Sequence, residues 1–538
     1  MVNLARMKRG MYIDSITLMK LARTLSEMEG VVDAAAVMAT PANLQQLEDA
    51  GLAPFEGLAG TPGSNDLLLV ARASTLEHAT EALEAAETLL ARSTGRETAQ
   101  DSGEALQAHQ PRSLEEARRM HEQATIAVIS VPGMYAALEA QEALRAGLHV
   151  FLFSDNVSLE DELALKRLGA ERELLVMGPD CGTALLNGAG LGFVNVVPTG
   201  PVGLVGASGT GMQQVMCLLA EEGQGISQAI GCGGRDLSVE VGGATTLQGL
   251  RLLQNDEQTR VIVLLSKPPA PEVAEKVLAA AASGHKPVIV NFVGADFSLW
   301  QERYAGRIFF ARTLTEAASL ACALCIAGKD APALSSLLAA ASPVTSEAVP
   351  APGAVLAQSH PPYLAALFSG GTLCDEALHI WGGRIGPVYS NIPLNPAWLW
   401  REGQARPAGH YALDLGADEY TRGRPHPMID PEARLKYLRA AASDPRVGVI
   451  LLDIVLGYCA HPHPSSIYAP FIQESLHAAS QAGRRLRYVV SLCGTLDDPQ
   501  RLNFQEMRLR EAGAETFLSN AEAALRCLAL VQENADRS

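Results

Sequence analysis

Short apolar runs alternate along this chain with longer stretches of helical periodicity. Near the amino end, Met11 to Ile13, VVDAAAVMA (31–39) and DLLLVARA (66–73) read as strands. Apolar residues at three- and four-residue spacing predict a helix from Ser15 and a long one over 76–92. Residues 93–112 are small, polar and aperiodic, as a linker is. The alternation then resumes. ATIAVIS (124–130), HVFLFS (149–154) and ELLVMG (173–178) predict strands, with helices over MYAALEAQEALRAG and, capped, over 158–170. QAIGCGGRDL (228–237), RVIVLLS (260–266) and PVIVNFVG (287–294) continue the pattern. An Ala/Pro/Ser-rich stretch at 329–360 reads as a second linker. HYALDLG, VGVILLDIVLG (447–457), RYVVSLCGT (487–495) and a terminal helix over 520–532 close the chain. Single strands alternating with single helices imply right-handed crossovers and parallel sheets.

Two of these strand–helix junctions carry candidate chemistry. In PVGLVGASGTGMQQV (201–215), an apolar run ends in Gly206-Ala207-Ser208-Gly209-Thr210-Gly211 and an amphipathic helix follows. A helix start offers free N–H groups and a partial positive charge, so its natural guest is an anion, most often a phosphate. The Ser208 and Thr210 hydroxyls can add hydrogen bonds or cap the helix. Alone, such a turn is equally well explained by glycines that serve packing. YLAALFSGGTLCDEAL (363–378) repeats it, with Ser369-Gly370-Gly371-Thr372 at the turn. The repeat suggests two related α/β domains. It makes Ser208, Gly209, Thr210, Gly211, Ser369, Gly370, Gly371 and Thr372 candidate phosphate or oxyanion binders.

Composition narrows the partners. The 538 residues suffice for several domains, and 48% hydrophobic with 19% charged residues is ordinary for a globular protein. A net charge of −17 argues against nucleic-acid or anionic-membrane partners. No apolar run reaches the ~18 residues of a spanning helix, and the first residues lack the apolar core of a signal peptide. Nine scattered cysteines fit a reducing compartment, hence an expected cytoplasmic location. No His/Cys/Asp/Glu run has metal-ligand spacing: the HPHP of His461 and His463 stands without further ligands, and Cys322 and Cys325 fall in an apolar helix. Lys8, Arg9, Tyr12, Asp14, Ser15 and residues 38–43 sit at expected strand ends and read as turns and caps.

AVISVPGMYAALEAQEALRAG, MGPDCGTALLNG, GPVGLVGASGTGMQQV and IGCGGRDLS together resemble the α-subunit of succinyl-CoA synthetase. Residues 411–466 resemble the carboxy-terminal domain of its β-subunit. FSDNVSLEDELALK, SKPPAP, SGGTLCDE and GRPHPMIDP match the FdrA family more closely, along most of the chain. The resemblance implies several Rossmann- or flavodoxin-like parallel-sheet domains in a succinyl-CoA-synthetase-like arrangement, behind a small α+β amino-terminal module. The expected division is a module over 1–92, a linker over 93–112, a CoA-binding-like domain over 113–200, an α-type ligase domain over 201–328, a linker over 329–360 and a β-type ligase domain over 361–538.

It also implies a choice of activity. FdrA-like chains are described as acyl-CoA synthetases by analogy. They are also described as a subunit of oxamate carbamoyltransferase, which converts oxalurate and phosphate to oxamate and carbamoyl phosphate in allantoin breakdown. Succinyl-CoA synthetases carry phosphate on a histidine after the fourth strand of the α ligase domain. The matching stretch here, 291–311, has none. The ATP-grasp domain and the glycine-rich CoA loop are not evident either. Retained phosphate cradles without a nucleotide relay point to a small acyl phosphate, and so to a carbamoyltransferase subunit. The expected partners are a small amide acid, phosphate and companion subunits, with a homodimer open. No cofactor is needed, although CoA would be bound by the alternative, an acid–CoA ligase or CoA-dependent acyltransferase. A non-catalytic scaffold subunit is the third reading. Arg235 beside Gly233-Gly234, Arg424 and Asn391 are candidate substrate or anion partners. His426, in a rigid Pro-flanked loop, is a candidate acid/base, and Cys181 lines the site or acts as nucleophile. Asp236 and Asp430 read as caps or as partners of arginines.

Overall fold

The computed structural model describes residues 2–93 (apart from 12, 14, 27, 41–42, 45–46, 49–50, 54–57, 59 and 64–65), 111, 113–327, 362–421 and 425–535. Residues 329–360, and nearly all of 93–112, read above as linkers, lie outside them.

The first unit is the amino-terminal module. Strands β1 (Val2–Lys8), β2 (Val31–Met38) and β3 (Leu67–Ala73) form an antiparallel sheet in the order β1-β3-β2. Helices α1 (Ser15–Ser26) and α2 (Leu76–Ser93) bury Leu18, Leu21, Leu25, Leu83 and Leu90 against Leu67 and Leu69. The first strand lies at 2–8 and not at 11–13. Its alternating Arg6 and Lys8 hid it, yet both reach over the sheet to Glu87 of α2, at 2.9 and 2.6 Å.

The second unit holds three sheets. After α3 (Leu114–Met120), β4 (Ile126–Ile129), α4 (Gly133–Arg145), β5 (His149–Leu152), α5 (Leu159–Glu171) and β6 (Val176–Met177) build a three-stranded parallel sheet. Ser158 caps α5 by accepting the Asp161 N–H at 3.1 Å.

A hairpin follows, β7 (Thr183–Leu186) and β8 (Ala189–Gly192), turning at Asn187-Gly188 with φ of 49° and 80°. It pairs onto a sheet of β9 (Thr199–Ala207), β10 (Ile226–Gly231), β11 (Val261–Ser266), β12 (Val288–Phe292) and β13 (Ile308–Phe310). The order is β13-β12-β11-β9-β10-β7-β8, parallel except where β7 meets β10 and β8. The crossovers are α6 (Gly209–Glu221), α7 (Ala244–Asn255), α8 (Pro271–Ser283), α9 (Ser298–Arg303) and α10 (Leu314–Ala327).

The third sheet is wholly parallel, in the order β15-β16-β14-β17-β18-β19. Its strands are β14 (Tyr363–Phe368), β15 (Val388–Ser390), β16 (His410–Asp414), β17 (Val447–Val455), β18 (Arg487–Cys493) and β19 (Ala514–Phe517). Its helices are α11 (Gly371–Trp381), α12 (Asp418–Thr421), α13 (Glu432–Ser443), α14 (Pro464–Gln481), α15 (Leu502–Glu511) and α16 (Asn520–Ala535). One core runs from the seven-stranded to the six-stranded sheet through α6, α10, α11 and α16, from Val202 and Met216 to Leu373, Trp381 and Cys527. No helix among the described residues is long and apolar enough to cross a membrane.

Candidate functional site

Strands β9 and β14 are buried apolar runs that end in the two SGT turns, so α6 and α11 both begin at carboxyl edges of parallel sheets. The structure sets these starts against each other. Ser208 Oγ and Thr372 Oγ1 share a hydrogen bond of 2.8 Å, and both residues are buried. Ser208 precedes α6 without capping it through its side chain. A Cβ on Gly370 would stand 3.0 Å from Thr210 Cβ, and one on Gly211 would collide with Ser208 Oγ. Here the glycines make room for the hydroxyl side chains of Ser208, Thr210 and Thr372 between the two helix starts.

The surroundings differ. Asp453, inside β17 near its carboxyl end, accepts the Ser369 N–H at 2.7 Å, the Ser369 hydroxyl at 3.0 Å and the Gly370 N–H at 2.8 Å. Arg434 pairs with it at 2.7 Å, both side chains fully buried. The turn before α11 thus holds an internal carboxylate. Beside α6, no acceptor among the described residues takes the Gly209 or Thr210 N–H, and both residues are half-buried. Thr183 Oγ1 points there, 3.3 Å from the place of a Cβ on Gly209. Thr183 is 1% exposed and its hydroxyl has no partner among the described residues.

Gly371, the first residue of α11, faces two charged groups. A Cβ there would stand 2.5 Å from Asp414 Oδ2 and 3.4 Å from Lys267 Nζ. Burial pushes the Asp414 carboxyl up to about 6, against the opposing charge of Lys267. Asn391 holds the Asp414 backbone from both sides, at 3.0 and 2.9 Å, and so positions this carboxylate. His426 lies beside it: a Cβ on Gly416 would be 2.6 Å from His426 Nε2 and 3.3 Å from Asp414 Oδ1. His426 Nδ1 accepts the Met428 N–H at 3.2 Å, which assigns the ring proton to Nε2. Burial, helped by the charge of Arg434, lowers the imidazole to about 4, so at neutral pH it is a neutral donor.

Arg235 donates to Glu162 at 2.9 Å and to the Val157 carbonyl at 2.7 Å, in a network with buried Lys166 and Asp236. Its side chain is 47% exposed and bonds to no described residue of the helix starts. Gly233, at φ 85°, packs on the Pro179 carbonyl, and Gly234 faces Asp180. Asp180 is exposed at the surface, yet neighbouring groups crowd its carboxyl. The partial loss of water around the carboxyl, then the charges of Asp418 and Asp155, push it up to about 7. Cys181 is 2% exposed, and burial pushes its thiol up to about 12. A thiol so protonated is no ready nucleophile. Arg424 lies outside the described residues.

Asp236 caps α7 through the Thr245 and Thr246 N–H groups, at 3.0 and 2.9 Å, and pairs with a lysine, not an arginine. Asp430 accepts the Glu432 N–H at 3.1 Å. Cys322 is a core residue.

Sequence reasoning passed over Thr183, Lys267, Asp414 and His379. Asn187-Gly188 signals the hairpin that places Thr183. The others have no local signature. His379 of α11 occupies the ground beside the loop after β12, which has no histidine of its own: a Cβ on Gly294 would collide with the His379 ring. Asp375 lies 3.7 Å from His379. Burial raises the Asp375 carboxyl, against the His379 charge, and lowers the imidazole.

Three family models match the chain. One described as CoA-ligase covers residues 367–530, one described as CoA binding domain covers 198–294, and one described as AllF, heavy metal-associated domain covers 1–108. The donors in the last stretch do not fit a heavy metal. Residues 1–108 contain no cysteine and one histidine, His78, whose Nδ1 is 3.0 Å from Ser74 Oγ.

The α-subunit of ADP-forming succinate–CoA ligase from Staphylococcus aureus is 29% identical over 177 residues, 32% of this chain and 57% of that one. A second α-subunit from Archaeoglobus fulgidus is 31% identical over 148 residues, 27% of this chain and half of that one. The chain thus spans little more than half the length of these relatives. Among solved structures, the apo dinucleotide-forming acetyl-coenzyme A synthetase 1 of Ca. Korarchaeum cryptofilum covers 80% of this chain and 90% of its own, at 15% identity and a TM-score of 0.34. The uncharacterized protein YahF of Escherichia coli is 39% identical over 520 residues, 96% of each chain. The chain belongs to the family of YahF, and its larger unit is built on CoA-binding and CoA-ligase domains.

Proposed function

We propose that the chain transfers a carbamoyl group between a small amide acid and phosphate, as one subunit of an assembly. One observation carries the reading: the Ser208–Thr372 bond joins the two helix starts while the Gly209, Thr210 and Gly371 N–H groups keep no acceptor among the described residues. Such preorganised donors hold a phosphate and stabilise the oxyanion of a tetrahedral intermediate without reorganising during the reaction. His426, neutral with its proton on Nε2, can add a further donor to a substrate carbonyl. The FdrA resemblance supports carbamoyl as the acyl group and oxalurate as the amide acid. The chemistry asks for no metal or nucleotide. The test is phosphate-dependent release of carbamoyl phosphate from oxalurate by the purified chain, alone and with companion subunits. Activity lost in Gly371→Val supports the reading. Its absence in every assembly overturns it.

A second reading, an acid–CoA ligase, is favoured by the CoA-binding and CoA-ligase matches and by His379 beside Gly294. There His379 would carry the phosphoryl group and CoA would be the acceptor. An acid-labile phosphoenzyme from labelled ATP, lost in His379→Asn and discharged by acid and CoA, selects this reading.

A further inference from the structure

We propose that Lys267 and Asp414 act as a pair on the group bound at Gly371: the Lys267 ammonium holds the phosphate, and the Asp414 carboxyl passes the proton that the leaving nitrogen needs. The inference rests on the transfer reading and names its acid and its cation.

Three observations converge. Lys267 Nζ and Asp414 Oδ2 approach the same point, the vacant Cβ direction of Gly371, where the first N–H of α11 has no acceptor among the described residues. The Asp414 backbone is fixed by Asn391, and Oδ1 is engaged by the Gly416 N–H at 3.0 Å, so Oδ2 is the oxygen presented to the site. Lys267 follows β11 in Ser266-Lys267-Pro268-Pro269 and makes no hydrogen bond or ion pair within 4.0 Å to a described residue, so its charge is free to meet an anion.

The groups that face Asp414 are Lys267 after β11, Asp453 of β17, Cys374 and Asp375 of α11, His426, and Tyr420 of α12. Burial and these acids favour the protonated carboxyl, and Lys267 opposes them. At about 6 the group can both give and take a proton near neutrality.

The step balances. An oxygen of hydrogen phosphate bonds to the carbamoyl carbon, and the C–N bond breaks with its electron pair leaving on nitrogen. Asp414 gives that nitrogen its proton. The O–H proton of the phosphate returns to Asp414, so the enzyme ends as it began.

Inorganic phosphate is the probe for Lys267. By calorimetry, Lys267→Ala weakens phosphate binding roughly ten-fold or more, whereas Lys276→Ala, on the outer face of α8, leaves it unchanged. Asp414→Asn binds phosphate at least as tightly as the native chain, because a nearby carboxylate is gone. In the transfer assay, Asp414→Asn lowers kcat about 10²–10⁴-fold. It leaves the KM for phosphate in place and abolishes the fall of kcat/KM on the alkaline side of pH 6. Circular dichroism confirms folding of each variant. Unchanged phosphate affinity in Lys267→Ala overturns the role of the lysine. An unchanged kcat and pH profile in Asp414→Asn overturns that of the aspartate. If the native assembly transfers no carbamoyl group, the proton step falls with the transfer reading, and the lysine still stands or falls by calorimetry.

Discussion

The helix starts at Gly209 and Gly371 share a sequence signature and a position at the carboxyl edge of a parallel sheet, but they meet different charges. The turn into α11 already binds an anion of its own, the Asp453 carboxylate, locked by Arg434. The start of α6 meets only a buried hydroxyl that lacks a partner among the described residues, Thr183 Oγ1. At the α11 start an internal carboxylate takes the Ser369 and Gly370 donors and leaves the Gly371 N–H for a guest, whereas at the α6 start both the Gly209 and the Thr210 N–H are left for one. Equal motifs therefore do not imply equal sites. What decides is the residue that a distant strand delivers to the turn.

The largest effect comes from unlocking the neutralised side. Asp453→Ala strips three hydrogen bonds from Ser369 and Gly370 and leaves Arg434 buried without its carboxylate. A loss of about 3–5 kcal/mol in denaturant unfolding is expected. The matching cut beside α6, Thr183→Ala, costs far less, because no bond to a described residue is lost. Similar losses in the two variants would break the comparison.

Asp414, also on the α11 side, sharpens it through pH. Its folded carboxyl is raised, from 3.8 to about 6, so folding favours the protonated form. The associated stability is present at low pH and is lost as pH rises from about 4 through 6. Asp414→Asn removes that dependence. Relative to the native chain it should gain on the order of 3 kcal/mol at pH 7–8, with the gain shrinking toward pH 4. Unfolding midpoints over pH 4–8 provide the measurement.

The hydroxyl bridge between the starts is weaker. Ser208→Ala and Thr372→Val should each cost about 1 kcal/mol, and the double variant less than their sum. Additive costs in this cycle would show that the two starts merely touch.

The smallest change in stability is expected for Thr183→Val. Removing an unpaired buried hydroxyl leaves folding unchanged or slightly improved, while phosphate affinity falls several-fold. Unchanged affinity would remove Thr183 from the site.

Apolar periodicity made the parallel sheets legible because buried β strands are written as runs such as VIVLL and YLAALF. It missed β1, whose arginine and lysine lie over a neighbouring helix, and the hairpin β7–β8, marked only by Asn187-Gly188. The helix starts were legible as glycine turns. Their inequality was not, because Asp453 is 83 residues beyond Gly370 and lies inside an unbroken apolar strand. For the same reason nothing local marked Lys267. Arg235 shows the same reach across the sequence: next to glycines it reads as an anion partner, and Glu162, 73 residues away, shares its guanidinium.

The core that runs through α6, α10, α11 and α16 bears on the gene as much as on the fold. Residues before 327 and after 362 are joined by packed side chains, and also by Asp498, which accepts the Val196 N–H at 2.7 Å and the Asn195 amide at 2.8 Å. Covalent continuity between those two positions is then dispensable. Two separately translated polypeptides, divided there, should find each other and rebuild the junction of the helix starts. A single reading frame adds equal dosage of the halves to a union that the packing already secures.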